Sequence, residues 1–519
     1  MRLSSYSVLS DPLPGGGYAL MNGCSGAIDL ISNRVADILM KHATFRSAQG
    51  KAWTPRDKPS LKETNGEKFL SVEILEDHEV GPPLSSETVE FLLERGHLTR
   101  VSHEDERSHV ARLANLLHED QKARPVFMIV PTFDCNYRCT YCFERPLQNG
   151  LVKINSKVNY GSQNVLMTSR HVEAIYESIQ QIQSGRPITN NQIVLYGGEP
   201  LDADNKELVF EIVTLGVAKG FEFAAISNGH DWQHFMPLMG AGGIKQIQVS
   251  IDGPKQIHDK RRIYRKGGSS FDRILTNVNL VLEQSDTLIE IRVHVDPSNI
   301  HLFDEVLEVC RKEGWADNRS IVIYANTVYA KDPKSGKVGA RIDNGEIMQR
   351  LHDSGSRYKN VFIGAPALNA RMQLLPSMTE GAAYRLKSTY CAANTGNYIF
   401  APDGHVYACW ESVGKDCSRV GSYLTEEGLV FNQEMTEKWF NRSTARIPEC
   451  LECPFALVCG GGCAQYSEYN TGTLYKPFCD DFERIFRTAL TDTVEEFVRA
   501  QELGINGEIE RLPTFDLLG

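Results

Sequence analysis

The chain has no excess of positive charge, no long apolar run, no low-complexity tract and no internal repeat of solenoid type. Its 55 Lys+Arg against 66 Asp+Glu give a formal net charge of -11. No general attraction therefore draws its surface to nucleic acid or anionic lipid, and neither is expected as a partner. Nowhere do about 18 apolar residues follow one another, as a membrane span needs. The N-terminal MRLSSYSVLSDPLPGGGYALMNG lacks a basic segment followed by an unbroken apolar one, so no secretory signal is read and the expected compartment is the cytoplasm. What is there is ordinary globular composition, 41% hydrophobic and 23% charged over 519 residues, enough for several domains.

Thirteen cysteines are too many to ignore and too clustered to be a disulfide framework, which a reducing cytosol would not sustain. Their positions divide the chain. Residues 1–120 hold only Cys24 and mix short apolar runs with helical patterns at Glu87–Leu98 and Val110–Leu117, a small α+β region. Residues 121–335 alternate strand-like runs (PVFMIVPT, QIVLYGG, FEFAAISN, QIQVSID, LIEIRVHVD, SIVIYAN) with amphipathic stretches at His171–Gln183, Lys206–Lys219, Phe271–Glu283 and Leu302–Glu313. Repeated β-then-α units imply a parallel sheet, and six of them an open, partial (βα)6 barrel in an α/β fold. The polar turn KDPKSGK ends the alternation, a helical connector is expected over 336–385, a cysteine- and glycine-rich domain over 386–485, and a C-terminal helix and tail over 486–519.

Directly after the first strand stand Cys135, Cys139 and Cys142, spaced C-x3-C-x2-C. Three thiolates fit three corners of a [4Fe–4S] cube. Such clusters normally take four cysteines, so one iron is left open to a substrate or cofactor. The competing reading is a zinc knuckle, but tetrahedral zinc usually pairs two short arms, which this triplet does not offer. The second group comprises Cys391, Cys409, Cys450, Cys453, Cys459, Cys463 and Cys479, for which two structural zinc sites are the alternative. Gly460, Gly461 and Gly462 would let backbone approach sulfide closely, and Pro402-Asp403-Gly404-His405 is a hairpin turn that would bring Cys391 and Cys409 together. Cys310 falls on the apolar side of a helical pattern and reads as core.

The triplet, with Tyr141 before its last cysteine, resembles the signature of radical S-adenosylmethionine (AdoMet) enzymes, and the resemblance extends over about 125–330. Gly197-Gly198-Glu199-Pro200 is similar to the family's GGEP motif, whose backbone and acid hold the methionine amino group. Asn228, after the third strand, would line the same pocket, and Ser250 and Arg262 would contact the AdoMet ribose or carboxylate. The locally read alternatives are turn dipeptides and an Arg262–Asp259 pair. The C-terminal cysteines resemble the SPASM extension, which implies two auxiliary [4Fe–4S] clusters. By that resemblance Cys450, Cys453, Cys459 and Cys479 hold the distal one. Cys391, Cys409 and Cys463 hold the proximal one, with Cys417 or an open iron completing it.

The resemblance implies three [4Fe–4S] clusters, AdoMet cleavage to methionine and a 5′-deoxyadenosyl radical, and hydrogen abstraction from an unactivated C–H bond. It implies an oxidoreductase acting on a precursor peptide, with a flavodoxin or ferredoxin as electron donor. The product would be oxidised or cross-linked, through a thioether or a carbon–carbon bond, as in maturases of ribosomally made peptides. Residues 1–120 would then be a peptide-binding winged helix offering a strand edge to the leader, or a structural cap on the barrel. Anaerobic sulfatase maturases, which form formylglycine, are the second reading. They carry an acid directly after the second SPASM cysteine, where this chain has Trp410 and only then Glu411. Glu411, Asp403 and His405 are the candidate bases, each with a plain turn or surface alternative. A non-catalytic metal-cluster scaffold is the reading from another class, and it would need no AdoMet pocket.

Overall fold

The computed structural model describes residues 1–13, 15–42, 45–46, 84–144, 166–185, 191–316, 318–332, 334–342, 347, 361–363, 365–379, 381 and 384–502. Near the N-terminus, β1 (Arg2–Leu3) pairs with β5 (Leu98–Thr99), and β2 (Ser7–Leu9), β3 (Tyr18–Asn22) and β4 (Ile28–Ile31) form an antiparallel sheet. Both faces of that sheet are covered. Val8, Ala19 and Met21 face one apolar cluster and Leu9, Leu20 and Ile31 another, the two-residue period of a strand used on both sides. Helices Asn33–His42, Ser86–Glu94 and His103–Lys122 follow. Ser85 and Ser102 cap the second and third by accepting from Thr88 N and Asp105 N. The pattern expected to run to Leu98 stops at Glu94, because Gly96 adopts φ +80° and the chain turns into β5.

The six expected strands stand side by side in chain order: β6 (Val126–Ile129), β7 (Gln192–Leu195), β8 (Glu222–Ile226), β9 (Ile244–Ser250), β10 (Leu288–Val295) and β11 (Ile321–Thr327), all parallel. The expected helices lie between them at Ser169–Gln183, Lys206–Ala218, Ser270–Gln284 and Phe303–Lys312. One helix layer, packed on Ile193, Ile247, Ile291 and Ile323, forms the main core. Along β10 that apolar set alternates with Glu290, Arg292 and His294, which turn to the opposite face. There Glu290 accepts from Gln246 Nε2 (2.8 Å) and Gln248 Nε2 (3.0 Å). The other part of that inner face is apolar, with Met128, Val130, Val194, Ala224 and Ile399.

The sheet does not stop at six strands. After the short antiparallel hairpin of β12 (Tyr329–Lys331) and β13 (Val338–Ala340), β14 (Val361–Ile363) joins β11 in parallel. On the other edge β15 (Asn397–Phe400) lies parallel to β6, and β16 (His405–Tyr407), β17 (Arg419–Thr425) and β18 (Gly428–Phe431) continue antiparallel. Among the described residues eleven strands thus share one sheet, and the first strands of the cysteine-rich region are hydrogen-bonded to the barrel. KDPKSGK is the turn of the β12–β13 hairpin, where Asp332 accepts from the amides of Lys334 and Ser335. Of the connector expected over 336–385, much lies outside the described residues, but helix Ala365–Thr379 is present and packs on the C-terminal helix Phe482–Glu502. The tail beyond that helix lies outside them too.

Candidate active site

The loop after β6 carries the cysteine triplet and is fixed from two directions by backbone bonds. Arg138 N donates to Ile263 O (2.7 Å), Thr140 N to Arg261 O (2.9 Å), and Glu199 N to Asp134 O (2.8 Å). The last of these ties it to the Gly197-Gly198-Glu199-Pro200 loop after β7. A Cβ on Gly198 would sit 2.0 Å from Asp134 O, and its φ is +38°, so only glycine lets the two loops lie together. Burial pushes Cys135 and Cys139 up, and Cys142 up to about 12; Cys135 also feels the other two thiols and Glu199. Thiolates so close would repel one another, so without a partner the set is favoured neutral, and a bound cation would favour its deprotonation.

Glu199 is buried and raised to about 7 by that burial. Its Oε1 accepts from Leu201 N (2.9 Å) and Ser227 Oγ (2.6 Å), and its Oε2 from Asn228 N (2.6 Å). A carboxylate has about four acceptor sites, so one remains for an outside cation such as an ammonium. Asn228 spends its own amide on Asn136 Oδ1 (2.6 Å) and accepts from His230 N (2.9 Å). Arg262 does not pair with Asp259. It donates from Nη1 to Tyr141 Oη (2.7 Å), while its buried Nε has no hydrogen-bond partner. Asp259 instead accepts from Ser270 Oγ and Phe271 N. The Tyr141 hydroxyl also lies 3.3 Å from His294 Nδ1, and Ser250, at the end of β9, pairs in register with Arg292. Behind them Asp252 is fully buried. Burial alone would raise it, but His294, then the charges of Arg262 and His258, hold it below the ordinary carboxylate range.

An orphaned buried guanidinium nitrogen and a partly satisfied buried carboxyl, each tied to the cysteine loop, Arg262 through Tyr141 and Glu199 through Asp134, are complements to the carboxylate and ammonium of an amino acid. The donor set therefore fits AdoMet bound to an iron–sulfur cluster.

The second cysteine group separates into two sets. Cys450, Cys453, Cys459 and Cys479 line one cavity, open in part to solvent, with Phe455 and Phe482. Cys391, Cys409 and Cys463 act on one another: Cys409 feels Cys463 and Cys391, and Cys463 feels Cys391. The charges acting most strongly on Cys417 are Glu468, Lys415 and Lys438 rather than those three thiols. Cys310 is core and fully buried, and no cysteine is in a disulfide. Among the described residues no three His, Cys, Asp or Glu side chains converge closely enough to ligate one ion. Thiols spread around a cavity suit a multinuclear cluster better than a mononuclear tetrahedron. The Gly460–Gly462 backbone comes close to sulfur at Cys459, where the Gly461 and Gly462 amides donate, and it also packs against neighbouring chain. A Cβ on Gly462 would lie 1.7 Å from Phe478 O, and one on Gly460 2.2 Å from Thr389 C. These glycines allow the chain to cross the segments that carry Cys479 and Cys391. The turn at Pro402-Asp403-Gly404-His405 does join β15 to β16.

The profile of the radical SAM superfamily matches residues 129–307. Residues 129–307 form a radical SAM domain. The chain is 21% identical over 370 residues to the cysteine-type anaerobic sulfatase-maturating enzyme of Clostridium novyi, covering 68% of this chain and 91% of that protein. It is 22% identical over 407 residues to the radical SAM cyclopropyl synthase TigE of Paramaledivibacter caminithermalis, covering 74% and 77%. Among solved structures, native anSMEcpe with bound AdoMet superposes with a TM-score of 0.50 at 17% identity, over 74% of this chain and 100% of that one. This last likeness establishes the fold. The chain thus carries a radical SAM domain and is similar, over about two thirds or more of its length, to proteins named as a sulfatase-maturating enzyme and a cyclopropyl synthase. No helix among the described residues is long and apolar enough to cross a membrane.

Within this frame the candidate bases part company. Asp403 accepts from Tyr407 Oη (2.7 Å) and His405 contacts Ser422 Oγ (2.9 Å), both within the β15–β17 hairpins. Glu411 is different. It accepts from Tyr466 Oη (3.0 Å), is raised by burial, and its charge acts on Cys409 and Cys463. It also acts on Glu144, which lies just past the triplet, is hydrogen-bonded by Tyr196 and is raised to about 7 by burial. Glu411 thus stands between the radical SAM loop and the Cys391/Cys409/Cys463 set. Glu144, Tyr196 and Arg292 are the residues that motif reading missed. The alternation Glu290, Arg292, His294 in a parallel strand, where continuous apolar sequence is normal, was the available signal.

Proposed function

We propose that this protein is a radical SAM/SPASM peptide maturase, which oxidises or cross-links a residue of a ribosomally made precursor peptide. The observation that carries the reading is the pairing of an AdoMet-complementary cysteine loop with four cysteines lining a single cavity. Cys135, Cys139 and Cys142 would hold the cluster that binds AdoMet, and the other two sets the auxiliary clusters. When bound, these groups supply reductive AdoMet cleavage and a route for the electron that the oxidised substrate gives up. The chain's own part is positioning. Glu199 takes the methionine ammonium on its remaining acceptor site, and Arg262, steadied by Tyr141, presents its free Nε to the carboxylate. Asn136 and Asn228 brace the cysteine loop, and Ser250 offers a hydroxyl at the strand end. Glu411 is the group placed to take a proton from the substrate near the proximal set. That set is completed by Cys417 or left with an open iron, and the surroundings of Cys417 favour the latter. The antiparallel sheet of β2, β3 and β4 has strand edges of the kind that can take an extended segment, so residues 1–120 would receive the leader. A flavodoxin or ferredoxin would deliver electrons, in the cytoplasm.

A second reading, formylglycine formation on a sulfatase, is favoured by one observation: although Trp410 occupies the expected acid position, Glu411 brings a buried carboxyl to the same thiols. Anaerobic incubation of the reconstituted, reduced enzyme with AdoMet and a short peptide encoded beside its gene, followed by mass spectrometry, separates the two. Loss of two hydrogens with 5′-deoxyadenosine formed is expected. An aldehyde on a sulfatase-derived peptide and no change in the encoded peptide would transfer the conclusion to the second reading.

A further inference from the structure

Arg442 is wholly buried in the cysteine-rich domain. Its Nε donates to Leu474 O, its Nη2 to Gly461 O (2.9 Å) and Lys476 O (3.1 Å), and its Nη1 to Asn394 Oδ1 (3.5 Å). Every acceptor is a neutral carbonyl. Among the described residues no carboxylate pairs with it, although a buried guanidinium ordinarily requires an anion.

The missing anion is identified by what lies around the side chain. Gly461 sits between Cys459 and Cys463, Lys476 just before Cys479, and Asn394 just after Cys391. The charges acting on Arg442 are Cys450, Cys391, Cys463 and Cys459, drawn from both cysteine sets. Lys387 repeats the arrangement. Its Nζ lies over the Tyr390 ring (5.7 Å), has no carboxylate or hydrogen-bond partner among the described residues, and acts with Cys459 and Cys391. Both cations therefore lie within electrostatic reach of thiols from the two sets, and no carboxylate is among the charges acting most strongly on either.

We propose that Arg442, assisted by Lys387, is the buried countercharge shared by the two auxiliary iron–sulfur clusters, raising the reduction potential of both. The proposal rests on the reading that the two cysteine sets carry clusters. Reduction adds one electron and no proton to a cluster, so its net charge falls by one. A fixed cation beside it stabilises that more negative state, and more strongly where water is excluded. A cation within reach of both sets acts on both, which favours passing one electron outward from a substrate radical.

The test is an anaerobic potentiometric titration with dithionite, followed by electron paramagnetic resonance, on full-length protein in which Cys135, Cys139 and Cys142 are all changed to Ala. Only the auxiliary signals then remain. Arg442→Gln is expected to lower the reduced-to-oxidised ratio of both signals at least about tenfold at fixed potential, that is about 59 mV for one electron, with about eight irons retained. Arg442→Lys should restore most of the loss. If iron is retained and the ratio is unchanged, or Gln and Lys behave alike, the proposal is overturned. If Arg442→Gln sheds iron, Lys387→Gln decides, since Lys387 anchors no backbone through its head group. A shift of about threefold in the same direction supports a shared countercharge, and no shift overturns it. Absence of iron from the Arg442-containing parent would instead overturn the cluster reading.

Discussion

At the scale of single residues, the site makes distinguishable demands. Arg262→Ala removes a buried charged donor whose Nε is free to bind, a loss of about 1.5–3 kcal/mol for a hydrogen bond to a charged group. AdoMet affinity, followed by equilibrium dialysis of the reconstituted enzyme, should fall roughly ten- to a hundredfold, and undiminished binding would remove Arg262 from the pocket. Gly198→Ala forces a side chain into Asp134 O, so the cysteine loop must shift. Iron analysis should show about four of about twelve irons lost, and full iron would mean the loop adapts. Glu411→Gln should keep 5′-deoxyadenosine release while product falls by about 10²–10⁴, the range for a general base. Asp403→Asn, held in its hairpin by Tyr407, should leave both intact, and equal damage from the two would deny Glu411 its role. These residues differed in legibility for a physical reason. The cluster cysteines and Gly197–Pro200 are contiguous in sequence because each belongs to one tight loop. Arg442 was invisible because Asn394, Gly461, Leu474 and Lys476, its acceptors, are scattered and contribute backbone or a neutral amide.

At the scale of elements, β6 to β11 could be read directly because each is an apolar run flanked by amphipathic helices. The strands β14 and β15 could not, since VFI and NYIF are too short to show a period. Only pairing with β11 and β6 makes them strands. The same holds for the docking of helix Phe482–Glu502, whose periodicity gave its existence but not its partner. The structure sets it against helix Ala365–Thr379 and the β2–β4 sheet, with Leu374 and Leu490 fully buried among Val8, Met21 and Val494. This helix is the clasp between the N-terminal region and the cysteine-rich domain. Leu490→Ala should cost about 2–5 kcal/mol, the range for emptying a core leucine site. Under anaerobic denaturation the loss should appear together with increased proteolysis of the N-terminal region. A stability loss without that exposure would mean the helix supports only its own domain.

At the scale of the whole molecule, the polar inner face of the barrel gives folding a pH dependence whose sign can be worked out. Burial pushes His258 and His294 down to about 4 from 6.5, so both are neutral in the folded protein at neutral pH. The unfolded chain takes up their protons near pH 6.5 and the folded chain only near pH 4. For these two histidines the unfolded state binds more protons between those values, so their contribution is complete above about 6.5 and declines as pH falls toward about 4, while Glu199 and Glu144, raised to about 7 in the fold, act in the opposite direction between about 7 and the ordinary carboxylate range. Asp252 is held below its ordinary value in the fold. Its contribution is present above the unfolded carboxylate range and is lost only at still lower pH, so the histidine decline comes first. Denaturant titrations at about pH 7.5 and about pH 5 should therefore resolve the histidine contribution as a difference between parent and variant, the parent's midpoint falling further, or rising less, toward the acid value than that of His258→Gln. His258→Gln should flatten the decline by about one proton while leaving the loss below pH 4 in place, because Asp252 keeps His294 and the Arg261 ion pair (3.3 Å). Parallel profiles for the parent and His258→Gln would show that His258 titrates in the fold as it does in the unfolded chain, and would remove it from the pH dependence.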